Sequence, residues 1–218
     1  MNTNPNIVKV LCFGDSNTWG YIPISEQRYP ANVRWTGLLQ KKLGNDFWVI
    51  EEGLNGRTTN MDDPEKPGKN GLAYLRPCLE THNPIDLVIL MLGTNDLKNK
   101  FERTPESIAK GIELLVEEIR LTAKNNQTHV SELLLISPIL VDDSVEKAKE
   151  KFLDAGRKSK HLAEHYRIIA EKNQIPFIDA AKHVSPSTQD GIHLEPVSHQ
   201  ILADKIYQRV KAIFRTSS

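Results

Sequence analysis

The sequence predicts a three-layer α/β/α domain with a central, mainly parallel five-stranded sheet. Short apolar runs alternate along the 218 residues with longer stretches of helical period. Three of the runs are almost continuously apolar, which is typical of strands buried on both faces of a parallel sheet. Because strands and helices alternate, we expect helices to cover both faces of that sheet.

The predicted strands are the short apolar runs, taken in chain order. The five runs are Val8–Phe13, Phe47–Ile50, Leu87–Leu92, Leu133–Ile136 and Pro176–Ile178. The alternation of these strands with helices implies that they pair in parallel.

Two helices are predicted in the first half of the chain. One covers about Val33–Leu43 and stops at Gly44, a residue suited to the C-terminal cap. The next begins after Thr104, where Pro105 suits the first helical turn. The helical period places a set of apolar residues of this second helix on one face, and they are Ile108, Ile112, Leu115, Val116 and Ile119.

Two further helices are predicted towards the end of the chain. A long polar helix covers about Val145–Lys172, and the last runs from about Pro196 to Phe214. The segment Asp62–Gly71, with the sequence DDPEKPGKNG, is predicted to be a loop because the strand–helix rhythm continues across it. Residues 1–218 are therefore expected to form one domain.

Composition argues against several classes of partner. The chain has 28 Lys and Arg against 28 Asp and Glu, so no strong field attracts nucleic acid or an anionic membrane. The apolar blocks are too short to cross a bilayer, and no signal peptide is readable at the N-terminus, so we expect a cytoplasmic protein. Cys12 and Cys78 lack metal-ligand spacing and are interpreted as idle thiols.

Small polar residues follow four of the predicted strands. The strings are GDSNTWG at 14–20, GLNGRTT at 53–59, GTND at 93–96 and DGIHL at 190–194. Ligands of open α/β sheets bind beyond the carboxyl ends of the strands. Any one string is also typical of a turn, but four of them at one edge of the sheet indicate a functional site.

Together the four strings resemble the conserved blocks of the SGNH hydrolases, also called the GDSL esterase and lipase family. GDS matches with Ser16, the second string supplies a glycine, GxND matches with Asn95, and DxxH matches with Asp190 and His193. GDSNTWG, VIEEGLNGRTTNMDDP and MLGTND look most similar to small bacterial arylesterases and acyltransferases. The resemblance covers essentially the whole chain, whereas no G-x-S-x-G elbow of an α/β-hydrolase is present.

The resemblance implies a flavodoxin-like SGNH hydrolase fold and a serine esterase that hydrolyses short-chain aryl or alkyl esters. The reaction would pass through an acyl-enzyme on Ser16, with acyl transfer to alcohols as a further outcome. It also implies a closed homo-oligomer larger than a dimer. The expected partner is a small-molecule ester, with neither nucleic acid nor membrane.

Three residues are predicted to form the catalytic triad. A protonated serine is a weak nucleophile, so Ser16 needs a base within hydrogen-bond reach. His193 is the candidate, because imidazole exchanges protons near neutral pH. Asp190, three residues earlier, would fix the imidazole tautomer and stabilise the imidazolium. Asp15 is assigned to shaping the turn around Ser16.

The carbonyl oxygen that becomes negatively charged needs hydrogen-bond donors. The predicted oxyanion hole consists of the backbone N–H groups of Ser16 and Gly56 and the side-chain amide of Asn95. Alignment of VIEEGLNG with the family favours Gly56, and Gly53 is the alternative.

Other residues near the strings are predicted to contact the substrate. Asn17 replaces the Leu or Ile common in the family, which predicts a more polar pocket. Trp19 lines the acyl pocket or packs in the core, and Ile192 touches the substrate or packs. Arg57 is predicted to form a surface salt bridge, with an acidic substrate group as its alternative partner. No metal and no organic cofactor is predicted, because four further histidines lack ligand spacing: His161, His165, His183 and His199.

The sequence is also compatible with other functions. The same triad would serve a carbohydrate O-acetyl esterase, a thioesterase or a lysophospholipase. A non-catalytic binding module should have lost a triad residue, and none is lost. A nucleotide-binding domain should carry G-x-G-x-x-G or a P-loop lysine after the first strand, and neither is present.

Overall fold

The computed structural model describes residues 6–125 and 132–215, with a five-stranded sheet at their centre. The strand order is β2-β1-β3-β4-β5, and all four neighbouring pairs are parallel. The strands are β1 (Val8–Gly14), β2 (Phe47–Gly53), β3 (Leu87–Met91), β4 (Glu132–Ser137) and β5 (Phe177–Asp179). The predicted five-stranded parallel sheet is confirmed.

Helices cover both faces of the sheet. In the described part of the chain the α-helices are α1 (Ser16–Trp19), α2 (Trp35–Leu43), α3 (Gly71–His82), α4 (Pro105–Asn125), α5 (Glu146–Lys149), α6 (Ala155–Lys172) and α7 (Pro196–Arg215). Short 3₁₀ turns occupy Asn95–Leu97, Asn99–Phe101 and Ala180–Lys182. Among these described helices, none has the length and apolar content that a bilayer-spanning segment needs.

Two apolar clusters hold the three layers together. Side chains of a strand alternate between its faces, so Leu11 and Phe13 join one cluster while Val10 and Cys12 join the other. The first cluster includes apolar residues of α3, α4 and α6, and the second includes those of α2 and α7. Both faces of β1 are therefore buried from Val10 to Phe13, which explains the apolar run at these four positions.

Helix α3 is absent from the sequence prediction, which recognised only the loop before it. Pro77 lies inside this helix and interrupts the helical sequence pattern, since proline cannot donate a backbone hydrogen bond. The helix begins after Asn70, whose side-chain oxygen accepts a 3.2 Å hydrogen bond from the backbone N–H of Ala73. This capping, together with the buried Leu75 and Leu79, stabilises the helix despite the proline.

The prediction of one long helix over Val145–Lys172 is wrong. The segment forms two helices, α5 and α6, separated by a turn. Asp154, at the start of α6, has φ 64° and ψ 7°. A right-handed helix cannot continue through a residue in this left-handed conformation, so the chain changes direction there.

Candidate active site

The structure brings Ser16, Asp190 and His193 together at the carboxyl edge of the sheet. Ser16 begins α1 directly after β1, and the other two residues lie in the loop before α7. His193 Nε2 lies 2.9 Å from Ser16 Oγ, and His193 Nδ1 lies 2.6 Å from Asp190 Oδ2. The imidazole is therefore within proton-transfer distance of the serine hydroxyl.

Asp190 also organises the loop that carries His193. Its Oδ1 accepts hydrogen bonds from the backbone N–H groups of Ile192 and His193, at 2.9 and 3.0 Å. Burial acts to raise the pKa of Asp190, but the hydrogen bonds and charge of His193 and the Ile192 N–H outweigh it and lower that pKa. The carboxylate is thus ionised at neutral pH, as an anionic partner of the imidazole must be.

Asp15 caps the short helix that starts at Ser16. Its Oδ1 accepts a 2.9 Å hydrogen bond from the backbone N–H of Asn17. Burial raises the pKa of Asp15. This contact is the turn-shaping role expected for Asp15, and it fixes the backbone on both sides of Ser16.

The two glycines of the second string occupy different environments. Gly53 ends β2 against α1, and a Cβ placed there would clash with the backbone nitrogen of Trp19. Gly56 lies in the following turn with φ +81°, where a Cβ would meet only the Lys69 side chain, at 3.8 Å. Close packing therefore accounts for Gly53, whereas the left-handed backbone accounts for Gly56.

Asn95 is held at the start of a 3₁₀ turn after β3. Its Nδ2 donates a 3.1 Å hydrogen bond to the backbone oxygen of Arg57. The next residue, Asp96, accepts a 2.9 Å hydrogen bond from the backbone N–H of Thr59 and forms a 2.6 Å ion pair with Arg103. These buried contacts fix the loop after β3 against the loop that contains Gly56.

Asn17, which was predicted to form a polar wall of the pocket, is buried instead. It is only 4% exposed, and both ends of its side-chain amide bind the loop of His193. Nδ2 donates to the backbone oxygen of Ile192 at 3.3 Å, and Oδ1 accepts from the backbone N–H of Leu194 at 3.0 Å. Asn17 therefore holds the backbone on either side of His193.

Tyr21 contacts the site although the sequence analysis did not single it out. Its ring stacks on the His193 imidazole, with centroids 4.2 Å apart and planes at 29°. The neighbouring Trp19 is half-exposed beside it, with the Arg28 guanidinium 5.4 Å from its ring centroid. Ile192 is half-buried and packs against the first apolar cluster, which was one of the two roles predicted for it.

The prediction of a surface salt bridge for Arg57 is wrong. This residue is 2% exposed, and its guanidinium donates a 3.0 Å hydrogen bond to the backbone oxygen of Gly14 and another to that of Glu52. The guanidinium also lies 4.1 Å from the ring centroid of Phe13. Arg57 therefore joins the ends of β1 and β2 beneath the site through one guanidinium nitrogen, Nη1, a role that sequence alone did not reveal.

In the described parts of the chain, one group of three side chains is of the residue types that can bind a metal ion. Potential ligand atoms of Glu52, Cys78 and His82 lie within 4.8 Å of one another. The carboxylate already accepts hydrogen bonds from other side chains, with His82 Nε2 at 2.9 Å and the Tyr74 hydroxyl at 3.3 Å. Burial raises the pKa of the Cys78 thiol to about 12. We interpret the group as a hydrogen-bonded contact between α3 and β2.

Comparison with known proteins assigns the fold to a class of hydrolases. The profile of the GDSL-like lipase/acylhydrolase family matches residues 12–201. The chain therefore belongs to this family, which confirms the resemblance found in the sequence. No curated protein matches the chain.

Several solved structures are similar to the chain over almost its whole length. An aryl esterase from M. smegmatis is 40% identical, with a TM-score of 0.89 over 94% of this chain and 99% of the other. Est24, a carbohydrate acetylesterase from Sinorhizobium meliloti, is 39% identical, with the same TM-score over 94% and 99%. A lipase/acylhydrolase from Enterococcus faecalis shares the fold at 20% identity, with a TM-score of 0.71 over 94% and 96%.

Proposed function

We propose that this protein is a serine esterase that hydrolyses short-chain aryl or alkyl carboxylic esters through an acyl-enzyme on Ser16. The observation that carries the proposal is the continuous contact from Ser16 Oγ through His193 to Asp190. Nucleophile, base and orienting carboxylate in this order are the elements of a serine hydrolase triad.

In the proposed acylation step, Ser16 Oγ attacks the ester carbonyl carbon while His193 Nε2 takes the hydroxyl proton. The tetrahedral intermediate then expels the alcohol or phenol, which receives that proton from His193. Water repeats the sequence at the acyl carbon, releasing the carboxylic acid and restoring the serine. Asp190 holds Nδ1–H and stabilises the imidazolium formed in each step.

The proposed oxyanion hole comprises the backbone N–H groups of Ser16 and Gly56 and the Asn95 amide. An amide nitrogen carries two hydrogens, so one remains on Asn95 after donation to Arg57. Because Asn95 is fixed by that contact, its second N–H is preorganised for a developing negative charge.

One relative supports an aryl ester as substrate and another supports a small acyl group. One is an aryl esterase at 40% identity and another is a carbohydrate acetylesterase at 39% identity. An O-acetylated carbohydrate is therefore our second candidate substrate, and the Tyr21 ring beside His193 offers a surface on which a sugar could pack. Since the acyl-enzyme is common to hydrolysis and transfer, an alcohol that reaches it before water would give a new ester.

A panel of 4-nitrophenyl esters from acetyl to octanoyl, together with an acetylated sugar, tests the proposed function. We expect the highest kcat/KM for acetyl or propionyl esters and a new ester product when a primary alcohol is added. Ser16→Ala is the control and should be inactive on the whole panel. Faster turnover of octanoyl esters would contradict the acyl preference, and equal rates in the control would contradict the esterase assignment.

A further inference from the structure

A cavity of about 300 Å³ lies at the same edge of the sheet as Ser16. Its walls come from the segments that follow β2, β3 and β4, and each of these segments starts at the carboxyl end of its strand. Ser16 follows β1, which lies between β2 and β3 in the sheet. The cavity and the proposed nucleophile therefore share the edge where α/β proteins bind ligands.

Positive charge predominates in this cavity. Four lysines line it, namely Lys66, Lys98, Lys100 and Lys151, together with three acidic residues, Asp63, Glu65 and Glu150. The Lys100 ammonium pairs with Asp63 at 2.7 Å and with Glu65 at 2.9 Å. Four ammonium groups against three carboxylates leave an excess of one positive charge in the cavity lining.

Lys98 is the lysine whose position most favours an anion. It is half-buried, and no carboxylate in the described ranges, 6–125 and 132–215, forms an ion pair with it. Its ammonium lies 5.9 Å from the ring centroid of Phe152. Burial lowers the pKa of Lys98 to about 8, and the charge of Lys100, with smaller effects of Lys66 and Lys151, acts in the same direction, whereas the charge of Asp63 acts against them. A bound anion would stabilise the charged ammonium and so raise the pKa of Lys98, against both burial and the neighbouring positive charges.

Lys98 is also linked to the proposed catalytic residues. It directly follows the 3₁₀ turn Asn95–Leu97, which carries the proposed oxyanion donor Asn95. Its charge contributes to lowering the pKa of Asp15, the residue before Ser16, although burial dominates there. The cavity wall and the proposed oxyanion donor therefore belong to the same segment after β3.

We propose that this cavity binds an anionic group, a carboxylate or phosphate, carried by the ester substrate, with Lys98 as the principal contact. The inference rests on the proposed function and narrows its substrate class to anionic esters. Lys66 and Lys151 add long-range attraction at the cavity wall.

The preference for an anionic ester should depend on pH. With a pKa of about 8, Lys98 is mostly protonated at pH 7 and loses its charge as the pH rises to 9. The other groups facing it are Lys66, Lys100, Lys151, Asp63, Glu65 and Glu150. The residues that both esters need for turnover affect the two rates alike, so the ratio of the two kcat/KM values isolates the contribution of Lys98.

Two aryl acetates of the same shape provide the test, anionic 4-acetoxybenzoate and neutral 4-acetoxybenzamide. The wild type should prefer the benzoate, and Lys98→Gln should raise its KM about tenfold, the effect of one charge-assisted hydrogen bond. The benzamide should change by no more than about twofold, since it lacks the charge. Lys182→Gln, which removes one charge from a side chain that is 77% exposed, is the matched control.

Equal effects of Lys98→Gln on both esters, or equal effects of the two lysine variants on the benzoate, would overturn the proposal.

Binding of 4-hydroxybenzoate and of inorganic phosphate to Ser16→Ala, followed by NMR titration, tests the cavity without turnover. Both anions should bind about tenfold more weakly when Lys98→Gln is added. If the wild type were inactive towards both esters but still bound the two anions through Lys98, the anion-binding cavity would be supported and only the proposed esterase function would be contradicted. If phosphate altered benzamide hydrolysis through Lys98 and the wild type showed no preference for benzoate, the cavity would bind a free effector, contrary to the proposal.

Discussion

The side-chain oxygen of Asn17 accepts a 3.0 Å hydrogen bond from the backbone N–H of Leu194. Asn17 follows Ser16 in the chain and Leu194 follows His193, so this bond joins the segments that carry the proposed nucleophile and base. The amide nitrogen of Asn17 closes the same connection through the backbone oxygen of Ile192. The distance from Ser16 Oγ to His193 Nε2 is therefore fixed by a buried side chain next to the serine.

Replacing Asn17 should impair catalysis more than binding. Asn17→Leu removes both hydrogen bonds, leaves two backbone groups of the His193 loop unpaired, and lets the imidazole move from Ser16. We expect kcat for 4-nitrophenyl acetate to fall about 10- to 100-fold, with KM nearly unchanged. Asn17→Asp keeps the acceptor for Leu194 and should lose less. Equal kcat values in wild type and Asn17→Leu would contradict this positioning role.

Asn95 should act mainly in the transition state. Asn95→Ala removes the side-chain N–H proposed for the oxyanion and should lower kcat by about 100- to 1,000-fold. KM should move much less, because the ground-state carbonyl carries little charge. Stopped-flow or steady-state kinetics of an aryl acetate measure both constants, with thermal unfolding as the check on folding. Near-normal kcat would show that Asn95 only shapes the turn.

His199 should make the fold sensitive to acid. The backbone N–H of Trp35 donates a 3.2 Å hydrogen bond to His199 Nδ1, and burial lowers the pKa of this histidine to about 3. In the unfolded chain the pKa of a histidine is about 6.5, so between about pH 3 and pH 6.5 the unfolded state binds more protons than the folded state. Stability should therefore fall as the pH drops, by about 2 kcal/mol between pH 7.5 and 5.

Urea unfolding of wild type and His199→Asn at these two pH values measures that contribution. The asparagine oxygen can still accept from the Trp35 N–H but does not titrate. We expect the acid-dependent loss of unfolding free energy to be smaller in the variant by about 2 kcal/mol. The same pH dependence in both proteins would show that His199 does not cause it.

The family resemblance also implies a symmetric assembly larger than a dimer. Light scattering coupled to size-exclusion chromatography should give a mass more than twice that of one chain. A monomer mass at working concentration would reject this prediction.

The sequence predicted the sheet and the residues at its edge for identifiable physical reasons. Burial of β1 on both faces from Val10 to Phe13 requires an apolar run there, and the turns after the strands require small polar residues. The break before α6 was not predictable in this way, because the left-handed conformation of Asp154 depends on the packing around it. Helix α3 was missed because Pro77 hides its pattern.

The same distinction applies to the site. Ser16, Asp190 and His193 belong to short local strings and were predicted together. Tyr21 and Arg57 were not, because their roles arise from contacts with residues distant in sequence. Tyr21 meets a histidine from the last loop, and Arg57 binds the ends of two strands. No local pattern marks such contacts.

The central claim is that His193 activates Ser16 as the nucleophile, and covalent labelling tests it most directly. A fluorophosphonate probe should phosphonylate Ser16 in the wild type, as located by peptide mass spectrometry. Ser16→Ala should take up no label, and His193→Gln should react at least about a thousandfold more slowly because the base is lost. A label on another serine, or equal labelling rates in wild type and His193→Gln, would contradict the account.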